Sequence, residues 1–162
     1  MKKLILLFMV LFALIFGATI VRNYSKTGKL PFLNSKNSKK TAAATINGHN
    51  FNLLLAKTSA EKEIGLSKRD SLPKDFGMLF LFDSAGNYAF WAKDMRFPID
   101  IIFINNDKIV TIYKNVKPQK DQNNLPVFGP KEISNLVLEI NSGLSDKYNI
   151  REGDTVKFEN LQ

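Results

Sequence analysis

The class of fold is decided by one stretch, Ala44-Thr45-Ile46-Asn47-Gly48-His49-Asn50-Phe51-Asn52-Leu53-Leu54-Leu55. In this stretch an Asn-Gly pair lies between two runs in which apolar and polar residues alternate. Alternation with a period of two is typical of a half-buried strand, and Asn-Gly between two strands favours a two-residue hairpin turn. The stretch therefore predicts a β-hairpin, with His49 in its turn and exposed to solvent.

Six further apolar runs, each bounded by turn residues, follow at 77–82, 88–93, 99–104, 108–113, 135–140 and 155–158. With the hairpin they predict about eight strands. A capping-box pattern, Thr58-Ser59-Ala60-Glu61, predicts a short helix that continues to Leu66, and 141–148 can form a second. The sequence has no βαβ rhythm. We therefore predict a mainly β (α+β) domain over 44–160, a compact antiparallel β-sandwich or barrel-like structure with two short helices.

An N-terminal apolar segment precedes this domain. Lys2 and Lys3 are followed by an uncharged run of 18 residues from Leu4 to Val21, which as a helix would cover about 27 Å and could cross a hydrocarbon core. Residues 1–21 are thus predicted to be a transmembrane signal-anchor helix, and the polar, basic residues 22–43 a flexible tether. Phe16 stands where a cleavage site needs a small side chain, so an uncleaved anchor is favoured over a secreted form.

The side of the membrane follows from the positive charges around this run. The two lysines before the run favour an N-terminus on the cytoplasmic side, although six basic residues follow it. We therefore expect a single-pass protein of the cytoplasmic membrane with an extracytoplasmic domain.

The charge distribution and the composition exclude several classes of function. The net charge is +8, but the first 40 residues hold eight basic side chains and no acidic one, which leaves 15 basic against 15 acidic residues in the domain. A neutral domain is not typical of a nucleic-acid binder, so no nucleic-acid partner is expected. The chain has no cysteine and one histidine. This removes disulfides, thiolate metal sites and multi-histidine sites, and we expect neither a metal nor a cofactor.

The candidate binding residues lie in the stretch Phe90-Trp91-Ala92-Lys93-Asp94-Met95-Arg96-Phe97-Pro98-Ile99-Asp100. In an extended chain Trp91 and Lys93 share one face, and an aromatic plane beside an ammonium group can bind a sugar, a carboxylate or a phosphate. Asp100 and Glu139 each interrupt an apolar run. Acids in core-like positions need partners, and Lys93 could pair with either of them. The alternative is an internal ion pair that holds strands together.

Seven short motifs carry a resemblance to a known family. They are Gly65-Leu66, Leu72-Pro73, Gly77-Met78-Leu79-Phe80, Phe90-Trp91-x-Lys93, Pro98-x-Asp100-Ile101, Val137-Leu138-Glu139 and Gly153-Asp154. In this order they resemble the prokaryotic family called domain of unknown function 192, over roughly Thr45 to Phe158. The resemblance implies a compact, mostly β domain, often behind an export or anchor segment, with no established activity.

The resemblance also implies a candidate ligand-binding cleft. Its members are Trp91, Lys93, Pro98, Asp100 and Glu139, and Asp94 lies inside the same motif. This chain has Ala92, Asp94 and Met95 where the family commonly has Met, Asn and Thr, and Ser67 where the family has Met. If these positions contact a ligand in the family, the ligand preference of this chain differs.

Three function classes follow from these residues. The first is a membrane-tethered binding module that uses Trp91 and Lys93 for a small anionic or carbohydrate ligand. The second is a hydrolase or lyase in which Asp100 and Glu139 form an acid–base pair and Lys93 sets their charge. The third is an envelope domain that binds a protein partner through an exposed apolar surface. Binding is favoured over catalysis because the sequence has no nucleophile motif and no metal-ligand spacing.

Overall fold

A computed structural model describes residues 41–119 and 125–161 of the chain. The elements in chain order are β1 (Ala43–Ile46), β2 (His49–Ala56), α1 (Ser59–Ile64), β3 (Phe76–Gly86), β4 (Ile99–Asn105), β5 (Lys108–Val116), β6 (Ser134–Asn141), α2 (Leu144–Lys147) and β7 (Val156–Glu159). The transmembrane helix predicted over 1–21 and most of the tether predicted over 22–43 lie outside the described residues. Within the described ranges, no helix is long and apolar enough to cross a membrane.

The Asn-Gly hairpin is confirmed. Strands β1 and β2 pair antiparallel around Asn47 and Gly48, whose φ angles of 50° and 78° are both positive, as a type I′ turn requires. The predicted solvent exposure of His49 is wrong. His49 is the first residue of β2, it is half-buried, and its ring stacks on Tyr148 with 3.6 Å between the ring centroids.

The seven strands form one curled sheet in the order β5-β4-β6-β3-β2-β1-β7. Its two edge strands meet at one end, where Ile109 N–H donates to the carbonyl of Asp154 at 3.0 Å and Val156 N–H to that of Asp107 at 2.8 Å. The sheet is therefore a half-barrel, and of the two predicted architectures the sandwich is wrong. The sheet is also not fully antiparallel, because β2 and β3 run parallel and are joined through α1.

The run 88–93 is not a strand, so the predicted count of about eight strands is one too high. This segment is extended, and within the described ranges it makes two isolated backbone pairs, Phe90 with Phe128 and Lys93 with Gln119. It packs over the outer face of the sheet, where Ala92 is buried, instead of joining a ladder. The alternation of exposed and buried residues in this segment therefore comes from its packing on the sheet and not from pairing with another strand.

The sheet buries apolar side chains on both of its faces. The inner cluster takes residues from all seven strands and so lies on the concave side. The outer cluster covers β3, β4 and β6 and includes Phe80, Ile101, Phe103, Val137 and Leu66. Strand β4 is buried from Ile99 to Ile104 without a break. A strand covered on both faces loses its alternation, which explains the continuous apolar run in the sequence.

The capping box predicted before the first helix is confirmed. The hydroxyl of Thr58 accepts the Glu61 N–H at 3.2 Å, while the Glu61 carboxylate accepts the N–H groups of Thr58 at 2.8 Å and Lys57 at 2.9 Å. These backbone donors, Thr58 first, hold the pKa of Glu61 below its usual range. The helix ends at Gly65, whose φ of 49° is left-handed.

The second helix is shorter than predicted. It covers Leu144–Lys147 instead of 141–148, because Gly143 before it has a left-handed φ of 84°. Both helices are short, so the chain between strands is mostly turn and extended segment.

Gly77 in β3 provides a test of how closely the sheet is packed. A Cβ atom at this position would lie 2.7 Å from Cδ1 of Leu138 and 3.1 Å from the carbonyl oxygen of Glu139. We expect Gly77→Ala to lower the free energy of unfolding by about 1–3 kcal/mol, because the neighbours must move. Urea denaturation measures this loss. The control is Gly129→Ala, where a Cβ meets nothing within 4 Å, and equal losses in both variants would contradict the prediction.

Candidate functional site

A cleft opens on the outer face of the sheet. It has a volume of about 560 Å³ and is lined by residues 62–68, 88–91 and 93–95 together with Phe80, Phe82 and Glu139. We call it the outer cleft. Clefts of a few hundred Å³ that combine aromatic walls with a few polar groups are typical of small-molecule sites.

One wall of the outer cleft is aromatic. Phe80 and Phe82 are two residues apart on β3, so both project from its outer face. The ring of Phe82 stacks with Tyr88 at 3.6 Å between centroids, and Phe80 meets Phe90 edge to face at 5.0 Å. These rings pack against one another, so this wall is formed before any ligand arrives.

The facing wall comes from α1 and the turn after it. The ammonium group of Lys62 lies 4.5 Å from the centroid of the Phe82 ring, which is a cation–π contact. Leu66 is buried in the outer cluster and fixes the turn against the sheet. Lys68, exposed, follows in the same turn. Two ammonium groups therefore line this side.

The extended segment carries the residues that the sequence analysis selected. Phe90 and Phe128 exchange two backbone hydrogen bonds of 2.8 Å, and Gln119 N–H donates to the carbonyl of Ala92 at 3.4 Å. Ala92 is buried, whereas Trp91 and Lys93 are exposed and both line the outer cleft. The predicted alternation is confirmed, and 49% of the Trp91 surface is open to solvent.

Glu139 is the buried carboxyl group of the outer cleft. Only 4% of its surface is exposed, and its cross-strand neighbours are Met78 on β3 and Ile101 on β4. Burial raises the pKa of Glu139 to about 8. Among the described residues its carboxyl group has neither a hydrogen bond nor an ion pair, so the predicted pairing with Lys93 is not found. At neutral pH Glu139 is mainly an uncharged acid inside the cleft.

Asp100 lies on the other side of the sheet. In the ladder between β4 and β6, Asp100 is paired with Ile140, and Ile101 with Glu139. Neighbouring residues of a strand point to opposite faces, so the carboxyl groups of Asp100 and Glu139 cannot converge. The predicted acid–base pair is therefore wrong.

The carboxylate of Asp100 has its own partners. It accepts backbone N–H groups of Asn115 at 2.9 Å, Gly143 at 3.2 Å and Ser145 at 3.0 Å, and it is fully buried. The predicted contact with Lys93 is absent, because backbone donors satisfy this carboxylate. Asp100 thus joins β4, β5 and the start of α2, and it does not line the outer cleft.

Of the two other candidate residues, Asp94 lines the outer cleft and Pro98 does not. Pro98 is exposed and does not line the outer cleft, and its carbonyl accepts the N–H of Ser142 at 3.2 Å just before β4 begins. Asp94 lines the outer cleft next to Lys93, with a left-handed φ of 55°. Four of the six predicted residues are therefore brought together: Trp91, Lys93, Asp94 and Glu139.

The aromatic wall and the lysines of α1 and its turn are not among the residues predicted from the sequence. The two phenylalanines of β3 and the Tyr88 to Phe90 pair show a period of two, which could have marked an aromatic face. Lys62 and Lys68 carry no local signal, because only the tertiary packing of α1 brings them to the outer cleft. No group of three side chains that could hold a metal ion occurs in residues 41–119 and 125–161.

The fold and the site together define a class, a half-barrel β domain with an aromatic cleft on its outer face. The family model DUF192, described as "Uncharacterized ACR", matches residues 42–158. The chain therefore belongs to the DUF192 family, and the resemblance found in the sequence motifs is confirmed.

Two solved structures are similar to this chain. One is a protein of unknown function from Novosphingobium aromaticivorans, with 33% identity and a TM-score of 0.65, covering 72% of this chain and 83% of that one. The other, from Sinorhizobium meliloti, is described as a "putative transcription regulator" and has 26% identity and a TM-score of 0.65, covering 72% and 91%. A search of the curated proteins gives no match. The fold is thus shared with these two proteins.

Proposed function

We propose that this protein is a membrane-tethered binding domain whose outer cleft takes a small carbohydrate ligand. One observation carries the proposal: the half-exposed Trp91 lies in the same cleft as Glu139, a buried carboxyl group that makes no hydrogen bond or ion pair with residues 41–119 and 125–161. This carboxyl group opens into the cleft, so a ligand there can make the hydrogen bond that the described protein residues do not supply. A sugar ring fits both groups, because its apolar face can stack on an indole while its hydroxyls meet the carboxyl group.

Binding is favoured over hydrolysis because the acid–base pair is absent. Asp100 faces away from the outer cleft, as the ladder register requires. The other carboxylates that line the cleft are Glu63 and Asp94. Glu63 is an exposed residue of a surface helix, and no nucleophile motif accompanies either of them.

The binding proposal is tested with the fluorescence of Trp91, which is the single tryptophan of the chain. The full-length chain in mild detergent is titrated with glucose, N-acetylglucosamine, glucuronate and maltose. At least one of these sugars is expected to change the emission of Trp91 in a saturable way. Calorimetry with Trp91→Ala should then give a loss of about tenfold or more in affinity for that sugar.

The matched control is Ile133→Ala, because Ile133 has the same exposed fraction of 49% and lies outside the outer cleft. It should bind the sugar as the parent does. The proposal fails if no sugar in the panel binds, or if Trp91→Ala binds as well as the parent chain.

The membrane tether is proposed from the apolar run between Leu4 and Val21. The chain is expected to stay with membranes after a carbonate wash, and a protease added outside spheroplasts is expected to digest the domain. A carbonate-soluble chain would overturn the anchor, and a protected domain would overturn the extracytoplasmic orientation.

A second candidate function is the binding of an envelope protein through the surface beside the cleft. Because Phe90 and Phe128 are paired antiparallel, Trp91 and Val127 occupy neighbouring positions across that pair. Val127 is 64% exposed and does not line the outer cleft. A photo-crosslinker placed at position 127 should give one discrete protein adduct in cells if this surface is functional, and Val127→Asp should leave sugar binding unchanged.

A further inference from the structure

We propose that the ligand of the outer cleft is an anionic sugar, whose negative group pairs with Lys93 while the carboxylic acid of Glu139 donates a hydrogen bond to the sugar. This inference rests on the proposed function and names the substrate class of the same site. It also states what the cleft rejects, which is a sugar that carries a positive charge.

Two ammonium groups of the outer cleft are available to an anion. Within the part of the chain that the structure describes, neither Lys93 nor Lys68 makes an ion pair or a side-chain hydrogen bond. Two lysines elsewhere on the surface do form ion pairs, Lys114 with Asp146 at 2.6 Å and Lys131 with Glu152 at 2.9 Å. An anionic group that enters the cleft therefore meets cations without having to displace a protein carboxylate from them.

The side chains around Glu139 give the outer cleft a positive charge. The titratable groups that face the outer cleft come from α1 with its turn and from the segment 88–95, since the neighbours of Glu139 on β3 and β4 are Met78 and Ile101. These groups are Lys62, Glu63, Lys68, Tyr88, Lys93 and Asp94. Three of them are cations and two are carboxylates, so the lining is positive when Glu139 is uncharged.

The protonation state of the Glu139 carboxyl group also favours an anionic sugar. With a pKa of about 8, the acid form outnumbers the carboxylate by about ten to one at neutral pH. An uncharged acid donates one hydrogen bond, so it suits an acceptor such as a hydroxyl, a ring oxygen or a carboxylate of the ligand. The three lysines of the lining repel a cationic ligand, which disfavours amino sugars.

The test compares ligands with the same six-membered ring: glucose, glucuronate, glucose 6-phosphate and glucosamine. Trp91 emission of the full-length chain is followed near neutral pH. We expect glucuronate or glucose 6-phosphate to bind about tenfold or more tightly than glucose, and glucosamine to bind most weakly. The comparison of the two anions shows whether the negative group is a carboxylate or a phosphate.

Two variants assign the contacts. Lys93→Gln should bring the affinity for the anionic sugar down to that for glucose, whereas Lys157→Gln, on the exposed side of β7, should change nothing. Glu139→Gln keeps an N–H donor of similar shape. The variant can still donate to the sugar, so we expect it to lose at most about threefold in affinity for the anionic sugar at neutral pH. In the parent chain the affinity should fall by up to about tenfold per unit above pH 8 as Glu139 ionises, and in Glu139→Gln this fall should disappear.

The outcomes separate the inference from the proposed function. If glucose binds as tightly as glucuronate and glucose 6-phosphate, and Lys93→Gln changes neither, the anionic class is wrong while sugar binding stands. A preference for glucosamine, or a loss of affinity above pH 8 that persists in Glu139→Gln, overturns the role given to the acid form of Glu139. If none of the four sugars changes Trp91 emission, the anionic class is wrong, and sugar binding falls with it if N-acetylglucosamine and maltose also fail to bind.

Discussion

Replacing Asp100 by alanine is expected to lower the free energy of unfolding by about 3–5 kcal/mol. The carboxylate of Asp100 is fully buried and accepts three backbone N–H groups, from Asn115, Gly143 and Ser145. Alanine leaves all three donors without an acceptor in a place that water does not reach. These donors belong to β5 and to the start of α2, so the loss also weakens the connection between these two elements, which the Lys114–Asp146 ion pair joins as well.

Urea denaturation of the full-length chain in detergent measures this loss. Asp100→Asn keeps one acceptor oxygen and should lose clearly less than the alanine variant, about 1–2 kcal/mol. Asp83→Ala is the control, because Asp83 is exposed on β3 and should stay within about 0.5 kcal/mol of the parent. A loss at Asp100→Ala as small as that of the control would contradict the structural role.

The stability of the parent chain is expected to fall as the pH rises from about 4.5 to about 8, through Glu139. Burial raises the pKa of this carboxyl group from 4.5 to about 8, so between these values the folded state holds a proton that the unfolded state has lost. Stability then decreases with pH by about 1.4 kcal/mol per unit at most, which amounts to a few kcal/mol over the window. The contribution of Glu139 to the free energy of unfolding is complete below pH 4.5 and is lost above pH 8.

The measurement is the difference in unfolding free energy between the parent and Glu139→Gln across this window. Glutamine is uncharged at every pH, so the variant should gain on the parent steadily as the pH rises, and it should be more stable at about pH 8. Two curves that stay parallel would show that Glu139 does not titrate as described. Lys93→Gln should not alter the slope, because Lys93 makes no ion pair with Glu139 among the described residues.

The local parts of the fold could be predicted from the sequence. The Asn47-Gly48 turn and the capping box at Thr58 each depend on a few neighbouring residues, and both are found. The parallel pairing of β2 with β3 could not be predicted, because it depends on where α1 returns the chain. The segment 88–93 was predicted as a strand because a chain that packs one face on a sheet alternates just as a strand does.

The candidate site was predictable to the same extent. The exposure of Trp91 and Lys93 follows from alternation within one segment. Whether Asp100 and Glu139 share a face depends instead on the register between β4 and β6. A shift of one residue between these strands would have put the two carboxyl groups on the same side. The pattern within a single run of sequence does not fix this register. Only the structure therefore shows that Asp100 has a structural role and that Glu139 lines the cleft.

The pairing of β1 with β7 has a consequence for the time course of folding. Ala43 is opposite Glu159 and Ile46 is opposite Val156, so the first strand takes its place between a neighbour in sequence and the last strand of the sheet. Contacts between residues so far apart in sequence form slowly, because the chain between them must be ordered first. The hairpin of β1 and β2 can form as soon as it leaves the ribosome. It keeps one unpaired edge until residue 159 has emerged, so a chain halted shortly before that point exposes a strand ready to pair with another copy.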